Sequence, residues 1–295
     1  MYGKEPIHMF MTAVSLAVAA IPEGLAAIST IVLAIGVQRM VKRNAIVKKL
    51  PAVETLGSAS VICSDKTGTL TQNKMTVQKI FANGKLQGIE EIGTLSVEEE
   101  TVVESSMLCN DTKIASDGNL TGDPTETALV DMGLKLNFSK NIYKENPRVA
   151  EIPFDSDRKL MTTVNKINDK YVVLTKGGVD ELLARCNKYL YDGEERNDLE
   201  NYKKVITKNN ENMAKDALRV LSMAYKEIDH EPTDEEMKDI EQDLIYVGMV
   251  GMIDPPRLEV KDAVDKCKKA GIKTVMITGD HKITAIAIAK SLGIL

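Results

Sequence analysis

Three carboxylates stand where a folded chain could use them for chemistry. Residues Ala59-Ser60-Val61-Ile62-Cys63-Ser64 read as a buried strand that runs directly into Asp65-Lys66-Thr67-Gly68-Thr69-Leu70-Thr71. Open α/β sheets place their active sites beyond the C-terminal ends of strands, so Asp65 occupies a reactive position. Gly68 and the neighbouring hydroxyls provide a tight loop whose amides and OH groups can hold phosphate oxygens. A carboxylate alone is a weak nucleophile, but beside Mg²⁺ it can attack a γ-phosphoryl group and form an acyl phosphate. The same arrangement returns near the end of the chain. Residues 246–253 are strand-like and lead into Asp254-Pro255-Pro256-Arg257, and the apolar run 272–277 ends in Thr278-Gly279-Asp280.

A further carboxylate lies in a different setting. Between residues 9 and 37 the only ionisable side chain is Glu23, in Val18-Ala19-Ala20-Ile21-Pro22-Glu23-Gly24-Leu25. The run exceeds the roughly 20 apolar residues that cross a bilayer, and it is too long and its start too weakly basic for a signal peptide. Pro22 removes an amide hydrogen and its ring clashes with the preceding turn, so the helix is expected to break here. In lipid a broken helix is tolerated only where the freed carbonyls find partners or line a cavity. Carbonyls released beside one carboxylate form a hard-oxygen site that suits Ca²⁺ or Na⁺.

These residues must be positioned by an α/β scaffold. Arg39, Lys42, Arg43, Lys48 and Lys49 follow the apolar run, which by the positive-inside rule puts residues 39–295 in the cytoplasm. Residues 257–270 form a helix with Gly271 as its stop, and another helix follows through Lys290. Strands alternating with helices indicate a parallel, Rossmann-like sheet whose first strand carries Asp65. The residues between would then be an inserted domain. Within it, 123–136 and 199–221 read as helices, and 161–167 with 171–175 as a hairpin across Asn168-Asp169. The 295 residues have a net charge of −5 and 4% aromatics, which argues against nucleic acid as a partner. Cys63, Cys109, Cys186 and Cys267 form no CxxC pair, so neither a disulfide framework nor a zinc site is expected.

Together these segments resemble a P-type cation-transporting ATPase of the type II, calcium-pump-like branch. The resemblance rests on DKTGTLT at 65–71 after a PEGL-containing span, on DPPR at 254–257 and on TGD at 278–280. It implies an α/β architecture: a membrane segment (1–38, the fourth transmembrane helix of the family), a basic stalk (39–59), and an incomplete HAD-like Rossmann phosphorylation domain (60–81 and 246–295). An α+β nucleotide-binding domain (82–245) interrupts the last. By the resemblance Asp65 is phosphorylated by Mg-ATP, Lys66 belongs to the same catalytic loop, and the Thr67 carbonyl helps hold Mg²⁺. Thr278, Gly279 and Asp280 contact the phosphate, and Asp254 and Arg257 face the nucleotide. Thr125 and Glu126 face the adenine amino group, Phe154 stacks on the ring, Lys159, Lys176 and Gly177 line the pocket, and Arg219 reaches the phosphates. Ser156 stands where animal calcium pumps commonly carry an arginine, which removes one phosphate contact.

In the membrane, the carbonyls of Val18, Ala19 and Ile21 with the Glu23 carboxylate would supply half of one site for the transported ion. Sodium/potassium pumps would be expected to carry a polar residue in place of Ala20-Ile21, so the resemblance favours Ca²⁺. It also implies an integral protein of a prokaryotic plasma membrane, partnered by the bilayer, the remaining transmembrane helices and an actuator domain. Neither the family's GDGxNDxP block nor its TGE loop occurs in these residues. The expectation is therefore of a pump fragment that binds ATP but neither transports nor phosphorylates efficiently. A soluble HAD-like phosphatase and a non-enzymatic nucleotide-binding truncation product are the alternatives; the apolar span and Thr67, where phosphatases carry a catalytic Asp, disfavour the first.

Overall fold

The computed structural model describes residues 5–21, 23–279 and 282–295. It divides into two compact units, one reaching to Ile62 and including Ala270–Lys273, the other formed by Cys63–Lys269 with Thr274–Leu295.

In the first unit, helix α1 (Pro6–Ala19) is followed by α2 (Glu23–Val41), with the chain turning at Ala20 and Ile21. No side chain of α1 is buried. The segment Pro6–Val41 has a mean hydropathy of 2.0 in its most apolar stretch and is long and apolar enough to cross a membrane. A short helix, α3 (Pro51–Gly57), follows, and Gly36 of α2 lies close to its Val53.

Strand β1 (Val61–Asp65) pairs with the distant β13 (Lys273–Ile277) in a two-stranded sheet. The Lys273 amide donates to the Ser60 carbonyl at 2.9 Å, so the two strands start side by side. Between them runs a nine-stranded sheet, built first from β2 (Thr76–Ala82) and β3 (Lys85–Gly88). The chain continues through α4 (Val97–Leu108), β4 (Lys113–Ile114), β5 (Leu120–Thr121), α5 (Pro124–Lys135) and α6 (Ile142–Glu145). An antiparallel run of β6 (Arg148–Asp155), β7 (Leu160–Ile167) and β8 (Lys170–Gly177) comes next. Helix α7 (Val179–Leu183), strands β9 (Cys186–Tyr191) and β10 (Glu194–Arg196), helix α8 (Leu199–Lys215), β11 (Arg219–Ile228) and β12 (Leu244–Ile253) complete this part. The sheet order is β10-β9-β12-β11-β8-β7-β6, with β2 also on β12 and β3 on β2.

The hairpin between β7 and β8 turns where expected. Asn168 and Asp169 both take positive φ, 49° and 65°, as a two-residue turn matched to strand twist requires. Two cores lie around the sheet. One gathers Val103, Met107, Leu129 and Val250 under α4 and α5, and the other gathers Leu182, Ile206, Met213 and Met249 with α7 and α8. Beyond it, α9 (Leu258–Lys269) contributes Val260 and Val264, and α10 (Lys282–Ser291) Ile288, to a small cluster with Leu70 and Leu292.

Two expectations are corrected. The helix expected over 199–221 ends at Lys215: Ala217 takes φ +60°, Leu218 caps back to Met213 at 3.0 Å, and Arg219 already pairs with Met252. Pairing on both sides, with β12 and β8, overrides the local helical pattern. The alternation of strands and helices predicts 246–253 in one parallel sheet with the Asp65 strand. They belong to β12, antiparallel to β2 and β11 and parallel to β9. The unbroken apolar run of β12 reflects burial on both faces, which many sheets impose and which therefore does not identify the partner strand.

Candidate functional site

Asp65 ends β1 and is exposed. The following loop turns at Thr67 (φ −73°, ψ 125°) and Gly68 (φ 73°, ψ −8°), a type II geometry whose second central residue requires positive φ and hence glycine. The Thr71 amide closes the loop on the Lys66 carbonyl at 3.0 Å. The DPPR segment grips this loop from outside. Asp254 Oδ2 accepts from Thr71 Oγ1 at 2.5 Å, and its Oδ1 accepts from the Lys74 amide at 3.2 Å. Arg257 donates from Nε to the Thr71 carbonyl at 3.0 Å and from Nη2 to the Gly68 carbonyl at 3.2 Å, and its amide donates to Leu70 at 2.9 Å. These contacts make Asp254 and Arg257 fasteners of the Asp65 loop, a role that sequence spacing did not suggest. Asp254→Ala is expected to leave the Thr71 hydroxyl and Lys74 amide without this acceptor, at a cost of about 1–3 kcal/mol. Faster hydrogen exchange of residues 66–74, with the 160–177 hairpin unchanged, is the result that checks it.

Thr278 and Gly279 directly follow β13, the partner of β1. Asp280 lies outside the described residues. So do Pro22 and the side chain of Glu23. Of the other residues expected at the cation site, Val18 and Ala19 end α1, and Ile21 donates from its amide to the Val18 carbonyl at 3.1 Å. Helix α1 ends at Ala19, and the chain turns at Ala20 and Ile21.

Six other predicted residues meet around one pocket of about 260 Å³: Thr125, Glu126, Phe154, Lys176, Gly177 and Arg219. Asp123 caps α5, its Oδ1 accepting from the Thr125 amide at 2.8 Å, and thereby presents Thr125 and Glu126 on the first turn. Lys176, near the end of β8, is buried and pairs with Glu126 Oε1 at 2.5 Å. Glu126 Oε2 also accepts from the Asp111 amide at 3.1 Å, and Asp111 and Asp123 both line the pocket. The Asp123-Pro124 cap was legible as a helix start; Asp111 carries no local signal. Gly177 allows close approach, since a Cβ there would strike the Lys159 carbonyl oxygen and come within 2.6 Å of Leu160 Cδ2. Phe154 stands on the rim with 60% exposure. Arg219 lines this pocket and also a second cavity of about 270 Å³ beside Lys66, Asp254 and Thr284. Lys159 does not line the pocket. It takes φ +54° and pairs with Glu181 Oε1 at 2.5 Å, a hydrogen bond that raises the lysine's pKa and lowers the glutamate's. Cys109 lies buried against the Met161 carbonyl at 3.4 Å, and burial pushes its thiol pKa up.

A family model described as P-type ATPase, cytoplasmic domain N, matches residues 98–259, more than half of the chain. The chain belongs to the P-type ATPase family. The match covers every residue of the 260 Å³ pocket, and Asp65 and Thr278 lie outside it. A protein named calcium-transporting ATPase 1 from Bacillus cereus is 51% identical over 99% of this chain and 32% of its own length. One of the same name from Lactococcus lactis is 47% identical over 99% of this chain and 33% of its own length. Human calcium-transporting ATPase type 2C member 1 is 39% identical over 99% of this chain and 32% of its own length. This P-type ATPase chain thus spans about a third of the length of these relatives.

Proposed function

We propose that the 260 Å³ pocket holds ATP and that Asp65 accepts its γ-phosphoryl group, within an ATP-driven transporter of Ca²⁺. The observation that carries the reading is the convergence on one pocket of residues from four separate elements, α5, β6, β8 and β11. Phe154 offers a flat apolar face to adenine, Thr125 and the Glu126–Lys176 pair offer polar groups around its edge, and Arg219 extends the positive lining toward Lys66. A carboxylate oxygen of Asp65 forms the new P–O bond, the bond from the γ-phosphorus to the bridging oxygen breaks, and ADP leaves with that electron pair. Thr278, Gly279 and Asp280 hold the transferred group.

Mg²⁺ usually takes one or two carboxylates with phosphate oxygens and water, and the Asp65 carboxylate with the Thr67 carbonyl fits that donor set. When bound, it would neutralise charge on the phosphates. The pairing of β1 with β13 supports a HAD-like Rossmann phosphorylation domain from 60–81 and 246–295, with β2 and β12 carrying the chain into and out of the nucleotide-binding domain of 82–245. The apolar segment Pro6–Val41 supports a membrane span, with 39–295 cytoplasmic in a prokaryotic plasma membrane. Its interruption supports carbonyls of Val18, Ala19 and Ile21, with Glu23, as ligands of the transported Ca²⁺. The other transmembrane helices and an actuator domain complete the pump, and this segment alone binds ATP without transport.

Calorimetric titration of the chain in lipid nanodiscs with ATP is expected to show saturable one-to-one binding, weakened about 10-fold by Phe154→Ala because base stacking contributes about 1–3 kcal/mol. Absence of binding would overturn the pocket assignment. In a full-length protein carrying this segment, acid-stable label from γ-labelled ATP is expected only with Ca²⁺, and none in Asp65→Asn. Label without Ca²⁺ would displace the ion assignment, and label in the variant would displace Asp65.

A further inference from the structure

Phe154 presents a physical problem. It is 60% exposed and lies at the frayed end of an edge strand, where the β6–β7 register breaks between Ile152 and Asp155. Pro153, before it, has no amide hydrogen to give the ladder. An exposed ring on such a segment would sample many orientations, and a ligand would have to order it on binding.

The chain holds this segment from behind. The carboxylate of Asp155 accepts from the amides of Arg158 at 3.0 Å and Asp157 at 2.9 Å, which keeps its pKa low. The side chain of Arg158 then folds back, and its Nη2 donates to the Pro153 carbonyl at 2.7 Å, immediately before Phe154. Its Nη1 pairs with Glu241 Oε1. Glu241 is only 5% exposed and comes from the connection between β11 and β12, 83 residues away in sequence. It is fixed there by Thr162, whose Oγ1 donates to it at 2.6 Å and accepts from Thr175 Oγ1 at 3.0 Å, while Arg185 stands 3.7 Å from Oε2.

We propose that Glu241 and Arg158 are positioning residues for the adenine-stacking face, orienting Phe154 through the Pro153 carbonyl. This rests on the reading of the pocket as an ATP site. Neither residue lines the pocket. A buried ion pair stabilises a fold no better than well-packed apolar groups of similar size, so stability alone gives little reason for a carboxylate at 241. Orientation does. The planar guanidinium can hold the carboxylate with one amino group and aim the other at a carbonyl, which the point charge of a lysine does not reproduce. Arg158→Lys therefore keeps a charge for Glu241 while releasing Pro153.

The test is calorimetric titration of the full chain in nanodiscs with two probes, ATP and ribose 5-triphosphate, which lacks the base. Arg158→Lys and Glu241→Gln are each expected to weaken ATP about 5- to 10-fold, leave ribose 5-triphosphate unchanged, and have no further effect on ATP in a Phe154→Ala background. Equal weakening of both probes, a loss that persists without Phe154, or unchanged ATP affinity would each overturn the proposal. Should Glu241→Gln fail to fold, Arg158→Lys, which retains a cation opposite the carboxylate, decides alone. If Phe154→Ala binds ATP as tightly as the unaltered chain, the nucleotide reading itself falls and the positioning role with it.

Discussion

Gly177→Ala is expected to abolish ATP binding and to lower the stability of the nucleotide-binding part by about 3 kcal/mol or more, at the upper end of overpacking costs. The new methyl group would meet the carbonyl oxygen of Lys159 and lie 2.6 Å from Leu160 Cδ2 and 3.1 Å from Leu160 Cα. Two of these three neighbours are backbone, so no rotamer change relieves the clash. Gly177 pairs with Leu160 on one side and Ser222 on the other, which leaves strand separation as the available response. Moving β7 away carries the 155–159 turn and the rim of the pocket with it. Thermal unfolding should shift down by about 6–12 °C, since each kcal/mol moves a domain of this size by about 2–4 °C. Gly93→Ala is the control: a Cβ there meets nothing within 4 Å, and its effect should stay within about 0.5 kcal/mol. A Gly177→Ala chain that melts normally and binds ATP would show that the strands are not held this tightly.

Lys176→Met is expected to destabilise by about 3–5 kcal/mol, because it strands a largely buried carboxylate. The Lys176 side chain is 7% exposed and that of Glu126 16%. With the ammonium gone, Glu126 keeps the Asp111 amide, donating at 3.1 Å, as its side chain's one hydrogen-bond partner among the described residues. Adding Glu126→Gln to Lys176→Met should restore most of the lost stability, since a buried ion pair replaced by uncharged groups of similar volume is often neutral. It should not restore ATP binding, because both side chains line the pocket. Chemical denaturation of the two variants checks this. A double variant as unstable as the single one would place the loss outside the pair.

The parts of this protein visible in the sequence are those whose signals are local. The Asn168-Asp169 turn, the Asp123-Pro124 helix start and the Gly271 stop each depend on residues within a few positions, and each lies where it was expected. The pocket residues are reached through resemblance; taken singly, Arg219 reads as a surface charge and Phe154 as a core aromatic. What stayed hidden is long-range pairing. The apolar run of β12 cannot announce whether it lies beside β1 or β2, and nothing near Arg158 points to Glu241. The helical pattern over 199–221 was correct only until strand pairing at Arg219 took over.

The Thr71–Asp254 hydrogen bond joins residues 183 apart, and it sets an order of folding. Closing a loop of that length directly costs chain entropy that scales as (3/2)RT ln n. If the intervening sheet forms first, the antiparallel pairing of Thr76 with Ile253 already brings its two ends together. The gap left to close is then about five residues, which lowers the closure cost by about 3 kcal/mol. On that order the Asp65 loop closes after the nine-stranded sheet has formed. A newly made chain would then form the 260 Å³ pocket before the Asp65 loop is closed.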